Sequence, residues 1–518
     1  MTLESGFDDE DAHVPRARRL LVMRSQVALC VLCACIFPIV LFSTLNVLQK
    51  DLRYSYFHHI NATAVAEAEA ARLRESESYL STLHEILSPV PVAGSNTTAT
   101  NRRLLFGPSS NEADPKLCFA IISAADRPQK YVRQSAAFLV GRVVRELMPE
   151  LDWEIRNKRS QRETGKHLDG SVPSPPLLRP PPVRIWVHNL AGSREHLGII
   201  PEVIDVVEPE AKRRKSTGGA DAASHEEWLV NQINDFADAL DHAVALKCGI
   251  TVLVEDDGIV GTSPVRKLLE STKVLSLDST PLHTSKENPQ EYSKCDWAFI
   301  KLFYTEFWAG WENSPTDIAT LALLGAAAGI VVAGIVFFIL QSKNRNARRY
   351  LPVTTQTKKG RPRTTLAILV FIYVMTLTIL ILHASGRQNI AALPGRGRAS
   401  GLRVTDARAS SVAHLYPTGT SSGLPDCAMR TTTSLISYLR DRHKQYVAPT
   451  YKGRATPVDL LVDQFAEERG KQRLELQPHL FQHVGAYSSD KGKNQGNFKD
   501  MKVSSSFVGG TDVISQGS

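Results

Sequence analysis

The sequence lacks the short motifs that identify several large enzyme classes. It contains neither a Gly-x-x-x-x-Gly-Lys phosphate-binding loop nor a His-Glu-x-x-His zinc motif. Its 518 residues also contain no internal repeat. The absence of these two motifs argues against a P-loop nucleoside triphosphatase and against a zinc peptidase of that type.

Charged side chains are absent from three long apolar runs, which cover residues 27–48, 318–340 and 364–384. Each run is close to the roughly 20 residues that a helix needs to cross a bilayer core. Buried core helices are the alternative interpretation. A chain in hydrocarbon has to satisfy its own backbone hydrogen bonds, so we predict three membrane helices and exclude a purely soluble protein. A channel is disfavoured because no Asp, Glu, Lys or Arg lies in the runs to line a pore.

Acidic residues are absent from the segment 341–364, which carries eight of the 61 lysines and arginines of the chain. The other 53 basic residues balance the 53 acidic ones. The net charge of +8 is therefore local, and we predict that it sets membrane topology and that the protein binds no nucleic acid. Arginines also precede the first run, so the positive-inside rule places the N-terminus in the cytosol and both large polar regions in the lumen.

The first apolar run is too long for the apolar part of a cleaved signal peptide, and no small-x-small cleavage site follows it. We therefore predict a signal anchor. The predicted organisation is a cytosolic tail at 1–24, the anchor at 25–48, a lumenal stem at 49–115, the first part of a catalytic domain at 116–316, a second span at 317–340, a basic cytosolic loop at 341–364, a third span at 365–384, the second part of the domain at 385–489 and a disordered tail at 490–518.

Four cysteines lie outside the membrane runs, and all four fall in the predicted lumenal regions: Cys118, Cys248, Cys295 and Cys427. An even number in an oxidising compartment permits two disulfides, with three possible connectivities. Four buried thiols are the alternative.

Short apolar runs alternate with amphipathic helical patterns in the first lumenal region. The predicted strands are Leu117–Ser123, Val183–Asn189, 250–254 and 297–303, and the predicted helices are Tyr131–Leu147 and 226–247. This alternation predicts a three-layer α/β fold around a parallel sheet. Ligands of such sheets bind at the carboxyl ends of the strands.

Three acidic residues, Glu255, Asp256 and Asp257, follow the predicted strand 250–254 directly. Neighbouring carboxylates repel, so their clustering calls for a counter-charge. Hard oxygen ligands suit Mn²⁺ or Mg²⁺. We predict that such an ion joins Asp257 to a nucleotide diphosphate, and that Glu255 and Asp256 contact the nucleotide in the same site. An acidic loop cap is the alternative. Ser123 and Arg127, at the end of the first strand, are expected to contact the nucleotide. The alternative is that both are ordinary polar residues of a loop.

A second candidate segment, 477–489, contains the run Leu-Phe-Gln-His-Val-Gly with His483 at its centre. It resembles the Leu-Phe-Gln-His-Val-Gly-x-x-Ser-Ser segment of the N-acetylglucosaminyltransferase IV family. Neutral imidazole is a suitable partner for Mn²⁺, so we predict that His483 is a further metal or diphosphate ligand. The alternative is a structural histidine.

The order of these features resembles the three-span Golgi N-acetylgalactosaminyltransferases that modify GPI anchors. The points of resemblance are Glu255–Asp257, the segment 302–311 that leads into the membrane hairpin, Ala413–Pro417 after it, and 480–489. The long polar insertions at 156–182 and 208–224 depart from the family pattern, as does the tail after Ser489.

The resemblance implies a GT-A-like domain split by a membrane hairpin, in the Golgi membrane with its catalytic domain in the lumen. It also implies UDP-N-acetylgalactosamine as donor and β-linked transfer to the first mannose of the GPI glycan of an anchored protein. Because the donor sugar is α-linked to UDP, such a transfer inverts the anomeric carbon and needs a general base. Asp459 is our candidate for that base, with Asp463 on the same helical face. The alternative for Asp459 is a helix N-terminal carboxylate.

Two other functions stay open at this point. An N-glycan N-acetylglucosaminyltransferase of the related family is disfavoured by the hairpin, because those enzymes normally carry one span. A non-catalytic membrane adaptor that kept the fold is the second alternative, because a fold does not fix a function.

Overall fold

The structure is a computed structural model, and it describes part of the chain. The described residues are 42–43, 62–88, 114–123, 130–164, 183–190, 194–208, 222–276, 295–303, 315–348, 361–386, 401–405, 412–420, 423–451, 453–477, 479–484, 487–488 and 493–494. Apart from 42–43, the predicted signal anchor lies outside them, as do Arg127 and most of the tail at 490–518.

Helices and strands alternate along most of the described chain. The helices are α1 (Ala62–Leu87), α2 (Tyr131–Leu147), α3 (Pro149–Thr164), α4 (Ala222–Ala245), α5 (Pro264–Ser276), α6 (Pro315–Arg348), α7 (Arg361–Ser385), α8 (Asp426–Val447) and α9 (Val458–Glu468). The strands are β1 (Leu117–Ser123), β2 (Val183–Asn189), β3 (Asp205–Val207), β4 (Ile250–Glu255), β5 (Gly258–Val260), β6 (Trp297–Lys301), β7 (Gly401–Val404), β8 (Ala413–Pro417), β9 (Gln472–Gln477), β10 (Phe481–His483), β11 (Tyr487–Ser488) and β12 (Lys493–Asn494).

Eight of the described strands form one mixed sheet in the order β3-β2-β1-β4-β8-β6-β9-β7. The pairs β3-β2, β2-β1, β1-β4 and β6-β9 are parallel. Strands β7 and β8 run antiparallel to their neighbours, so the predicted parallel sheet is only mostly parallel. The reason is the edge of the sheet at which the chain enters these two strands. Both strands begin at the edge where β4 and β9 end, and they therefore run in the opposite direction.

The sheet is buried on both faces because its strands are short, continuous apolar runs. In β1, Phe119 and Ile121 face one apolar core with α2, α3 and α5, while Cys118 and Ala120 face a second core with α4, α8 and α9. This arrangement confirms the expected three-layer α/β architecture.

Helix α1, which lies within the range predicted as a stem, packs on the first core. Tyr79, Leu80 and Leu83 are buried there. The Tyr131 hydroxyl of α2 also donates to the Glu69 carboxylate of α1 over 2.6 Å. This helix is therefore part of the packed α/β body.

Two helices, α6 and α7, have the length and composition to cross a bilayer. The apolar segments are Ile318–Ile339 and Leu366–Ser385, each with mean hydropathy 2.6. Large apolar side chains on both helices are exposed, including Phe338 at 69% and Leu380 at 61%. The two helices pack on each other, and Gly329 of α6 lies against Phe371 of α7. The second and third predicted apolar helices are thus confirmed as helices with lipid-compatible surfaces.

The α/β body is built from the chain on both sides of this hairpin. Strand β8, which follows the hairpin, lies between β4 and β6, which precede it. The four cysteines outside the three apolar runs form two disulfides, Cys118–Cys248 and Cys295–Cys427. The second disulfide joins the part of the chain before the hairpin to the part after it. The prediction of two disulfides is confirmed, and the alternative of four buried thiols is wrong.

Candidate metal and nucleotide site

The acidic cluster begins where β4 reaches the edge of the sheet. The Glu255 amide donates to the Val412 carbonyl over 2.9 Å, and the Asp256 amide donates to the Ile122 carbonyl over 3.1 Å. The Ser135 hydroxyl donates to the Asp256 carbonyl over 2.6 Å. Three separate elements therefore fix the backbone of the turn that carries the carboxylates.

Strand β5 follows the turn and pairs antiparallel with β10, so that His483 lies opposite Gly258. The Val484 amide donates to the Asp257 carbonyl over 2.9 Å. A β-carbon on Gly258 would lie 2.9 Å from a Val254 methyl group, so a side chain at this position would crowd the turn. This short ladder brings the C-terminal segment to the acidic turn.

The result is a cluster of three potential metal ligands, Glu255, Asp257 and His483. Their ligand atoms all lie within 4.8 Å of one another. The Nε2 atom of His483 is 3.2 Å from Oδ2 of Asp257, and these side chains are 15% and 4% exposed. Two carboxylates and one imidazole are a donor set that accepts Mn²⁺ or Mg²⁺, so these residues fit the predicted metal.

Asp256 is 2% exposed and does not belong to this three-residue cluster. Its main-chain bonds to Ile122 and Ser135 attach the turn to β1 and α2. The predicted contact of its side chain with the nucleotide stays a prediction.

Ser123 lies at the carboxyl end of β1, one residue beyond Ile122, which is in register with Glu255. Its side chain is fully buried, and its Oγ is 3.0 Å from Nε2 of His196. The structure therefore places Ser123 at the predicted strand end but directs its hydroxyl to a histidine of the protein. The expected nucleotide contact stays a prediction, and Arg127 lies outside the described residues.

Asp459 lies in the first turn of α9 and is half-buried. Its Oδ1 accepts a hydrogen bond from the Leu460 amide over 2.9 Å, and it does not belong to the Glu255, Asp257 and His483 cluster. One turn later, Asp463 is 2% exposed and pairs with Lys301. The two aspartates thus share a helix, but Asp463 is committed to a buried ion pair.

Sequence reasoning did not identify this buried ionic group, which consists of Lys301, Asp463, Arg473 and Glu475. Nζ of Lys301 is 3.2 Å from Oδ1 of Asp463, and Arg473 is 3.6 Å from the same oxygen. Glu475 is fully buried on β9, opposite Lys301 of β6. Burial lowers the pKa of Lys301, and the charge of Asp463 opposes that shift. The only sequence signal was a lysine ending the apolar run 297–301.

His188 is a second residue that the sequence analysis passed over. It is 1% exposed on β2 and in register with Ile122, which is in turn in register with Glu255. Burial, together with the nearby His242, lowers its pKa to about 4, so the imidazole is neutral at neutral pH. A polar residue inside the strand Val183–Asn189 was the signal available in the sequence.

A two-sided α/β sheet with a carboxylate and imidazole cluster at one strand end is consistent with a glycosyltransferase-like domain. The comparison with protein families gives the particular family. The model of the GPI-N-acetylgalactosamine transferase PGAP4 family matches residues 199–482, which is more than half of the chain, and the chain belongs to this family. Searches of curated proteins and of solved structures gave no match.

Proposed function

We propose that this protein is a lumenal glycosyltransferase of the Golgi membrane that transfers N-acetylgalactosamine from UDP-N-acetylgalactosamine to a mannose of GPI anchors on proteins. The family supports the reaction class and the GPI-linked acceptor. The observation that carries the proposal is the contact between Asp257 and His483, because it joins two distant segments of the chain into one ligand set.

The domain is proposed to have the GT-A fold, with the donor at the edge where β1, β2 and β4 end. Ile122, His188 and Glu255 are in register there, on three neighbouring parallel strands. Carboxyl ends of parallel strands are where α/β sheets bind their ligands. In this proposal Ser123 and Arg127 lie on the nucleotide side of the site.

Asp257 and His483, with Glu255 beside them, are the residues that would hold Mn²⁺ or Mg²⁺. A bound ion would offset the negative charge of the UDP diphosphate as the sugar leaves. The chain itself supplies the geometry. The β5-β10 ladder holds His483, and the turn after β4 holds both carboxylates.

The proposed transfer inverts the donor sugar, so a base has to accept the proton of the attacking mannose hydroxyl. Asp459 is the proposed base. Helix α9 precedes β9, which begins at the far edge of the sheet, so α9 begins at the donor edge and Asp459 lies in its first turn. Asp463 is unsuited to this role because it is buried against Lys301.

The membrane hairpin is proposed to bring this edge of the sheet close to the bilayer. Strand β6, which precedes the hairpin, ends at the donor edge, and α6 follows it from Pro315. Strand β7, which follows the hairpin, begins at the same edge. A GPI glycan is attached to lipid, so an acceptor of this kind is presented near the membrane surface. Three spans with a cytosolic N-terminus and basic loop complete the proposed topology.

The test is sugar transfer by the detergent-solubilised full chain, with GPI-anchored protein as acceptor and Mn²⁺ present. We expect transfer from UDP-N-acetylgalactosamine by the wild type and loss of transfer in Asp257→Ala. Glu270→Ala is the matched control, because Glu270 is an exposed carboxylate on α5. Transfer of N-acetylglucosamine instead would contradict the proposed donor. Folded protein that transfers no sugar would favour the adaptor alternative.

A further inference from the structure

We infer that a cleft on the α4, α8 and α9 side of the domain binds hexose residues of the acceptor glycan, an inference that rests on the proposed function. The cleft lies between α4, the end of α8 and the segment that leads to α9, and it has a volume of about 540 Å³. Its lining combines tyrosine rings with carboxylate and amide groups, which are contributed by Glu226, Glu227, Asn231, Tyr446 and Tyr451.

The chain topology places this cleft at the donor edge of the sheet. Strand β3 ends at Val207, opposite His188, so α4 starts its return from that edge. Strand β8 ends at Pro417, opposite Ile250 at the far edge, so α8 runs back and ends at the donor edge. Three helix ends therefore lie beyond the same end of the strands as Glu255: the start of α4, the end of α8 and the start of α9.

Two tyrosines form an ordered wall of the cleft. The rings of Tyr446 and Tyr451 meet edge to face, with 4.9 Å between their centroids. The Tyr446 hydroxyl donates to Oγ1 of Thr456 over 3.0 Å, and the Tyr451 hydroxyl donates to the Arg454 carbonyl over 2.9 Å. Aromatic faces held in place offer a large rigid surface to the C–H face of a sugar ring at low entropic cost.

Polar groups beside this wall suit the hydroxyls of a sugar. Glu226 is anchored, because its Oε2 accepts the Ala455 amide over 2.7 Å. The carboxylate of Glu227 is exposed, and the amide of Asn231 is half-buried in the same lining. Carboxylates accept hydroxyl hydrogen bonds, and an amide both donates and accepts.

The charged side chains of the cleft also bear on its occupant. Its described lining contains two acidic residues, Glu226 and Glu227, and one histidine, His443. These groups can accept and donate hydrogen bonds to sugar hydroxyls. A neutral or amine-bearing glycan is compatible with the same groups, and the acceptor is the glycan that the proposed reaction requires.

The cleft continues into the helix that carries the proposed base. Ala455 lines the cleft, and Asp459 follows four residues later in the first turn of α9. The Thr456 hydroxyl that accepts the bond from Tyr446 lies between them in sequence. A glycan in the cleft is thereby held beside the start of α9, with the next sugar toward Asp459.

The test compares Tyr451→Ala, Glu227→Ala and the control Glu270→Ala in the full-length solubilised protein. Loss of one aromatic face or one charged acceptor is expected to raise the KM for the GPI acceptor roughly tenfold, with the KM for the UDP-sugar unchanged. Saturation-transfer NMR with α-mannobiose, recorded without donor, measures the cleft independently of transfer. We expect a signal for the wild type and the control, and its loss in both cleft variants.

The outcomes separate this inference from the proposed function. A wild type that transfers no sugar, yet binds α-mannobiose through Tyr451, would contradict the function and support the cleft. The inference would be overturned if the KM for the acceptor and the α-mannobiose signal were unchanged in both cleft variants. It would also be overturned if the wild type did not bind α-mannobiose. A raised KM for the UDP-sugar alone would reassign the cleft to the donor and overturn the inference.

Discussion

Replacing Lys301 by methionine should destabilise the domain strongly, because it removes one partner of a buried ion pair. The side chain of Lys301 is 0% exposed and that of Asp463 is 3% exposed, with 3.2 Å between Nζ and Oδ1. Removing one member of such a pair leaves an uncompensated buried charge, at a cost of about 3–5 kcal/mol. Arg473, 3.6 Å from the same oxygen, still faces Asp463, so we expect a loss of about 3 kcal/mol in the free energy of unfolding.

The assay is thermal unfolding of the full chain in detergent, followed by tryptophan fluorescence at one scan rate and one pH. For a domain of this size, about 3 kcal/mol lowers the Tm by roughly 6–12 °C. Lys444→Met is the matched control, because Lys444 is 77% exposed and pairs with Asp441 on the surface of α8. Exposed pairs contribute about 0–1 kcal/mol. Equal Tm values for the two variants would refute the reasoning.

Two further predictions concern pH and the membrane hairpin. The pKa of buried His188 is lowered from its ordinary value of 6.5 to about 4, so its contribution to stability is complete above pH 6.5. As pH falls from 6.5 to about 4, the unfolded state binds the proton first, and about 3 kcal/mol of folding stability is lost. His188→Leu should flatten the dependence of Tm on pH in this window, and an unchanged slope would contradict the assignment. In the hairpin, a β-carbon on Gly329 would lie 2.8 Å from Cδ2 of Phe371, whereas one on Gly334 would meet nothing within 4 Å. Gly329→Leu should therefore cost about 1–3 kcal/mol and lower the thermal aggregation temperature in detergent, whereas Gly334→Leu should not. Equal effects of the two leucines would argue against the packed hairpin.

The regular elements of the fold could be read from the sequence because their signals are local. The apolar run Leu117–Ser123 and the amphipathic run Tyr131–Leu147 became β1 and α2 with the predicted bounds. The predicted strand 297–303 ends two residues early, at Lys301. There the Leu302 carbonyl accepts the amides of Leu480 and Phe481 instead of continuing the ladder. That contact partner lies far along the chain, so no local pattern predicts it.

Half of the candidate site was predictable for the same reason. Acidic residues directly after a buried strand mark a strand end, and Asp257 lies there. The motif around His483 indicated a second candidate ligand by resemblance, but the β5-β10 pairing that brings it to Asp257 spans more than 200 residues of chain. The ion pair of Lys301 and Asp463 is likewise formed between β6 and α9. In the sequence, nothing distinguishes Lys301 or Asp463 from an exposed charged residue, and only the tertiary fold shows that both are buried.

We propose that the chain before and after the hairpin of α6 and α7 forms one metal-dependent UDP site. The most direct test is calorimetric titration of UDP into the solubilised full chain, with and without Mn²⁺, for wild type, Asp257→Ala, His483→Ala and the control Glu270→Ala. We predict that Mn²⁺ tightens UDP binding in the wild type and the control, and that either alanine at the cluster removes this effect. UDP binding by the wild type that is indifferent to Mn²⁺, or a Mn²⁺ effect that persists in His483→Ala, would contradict the account.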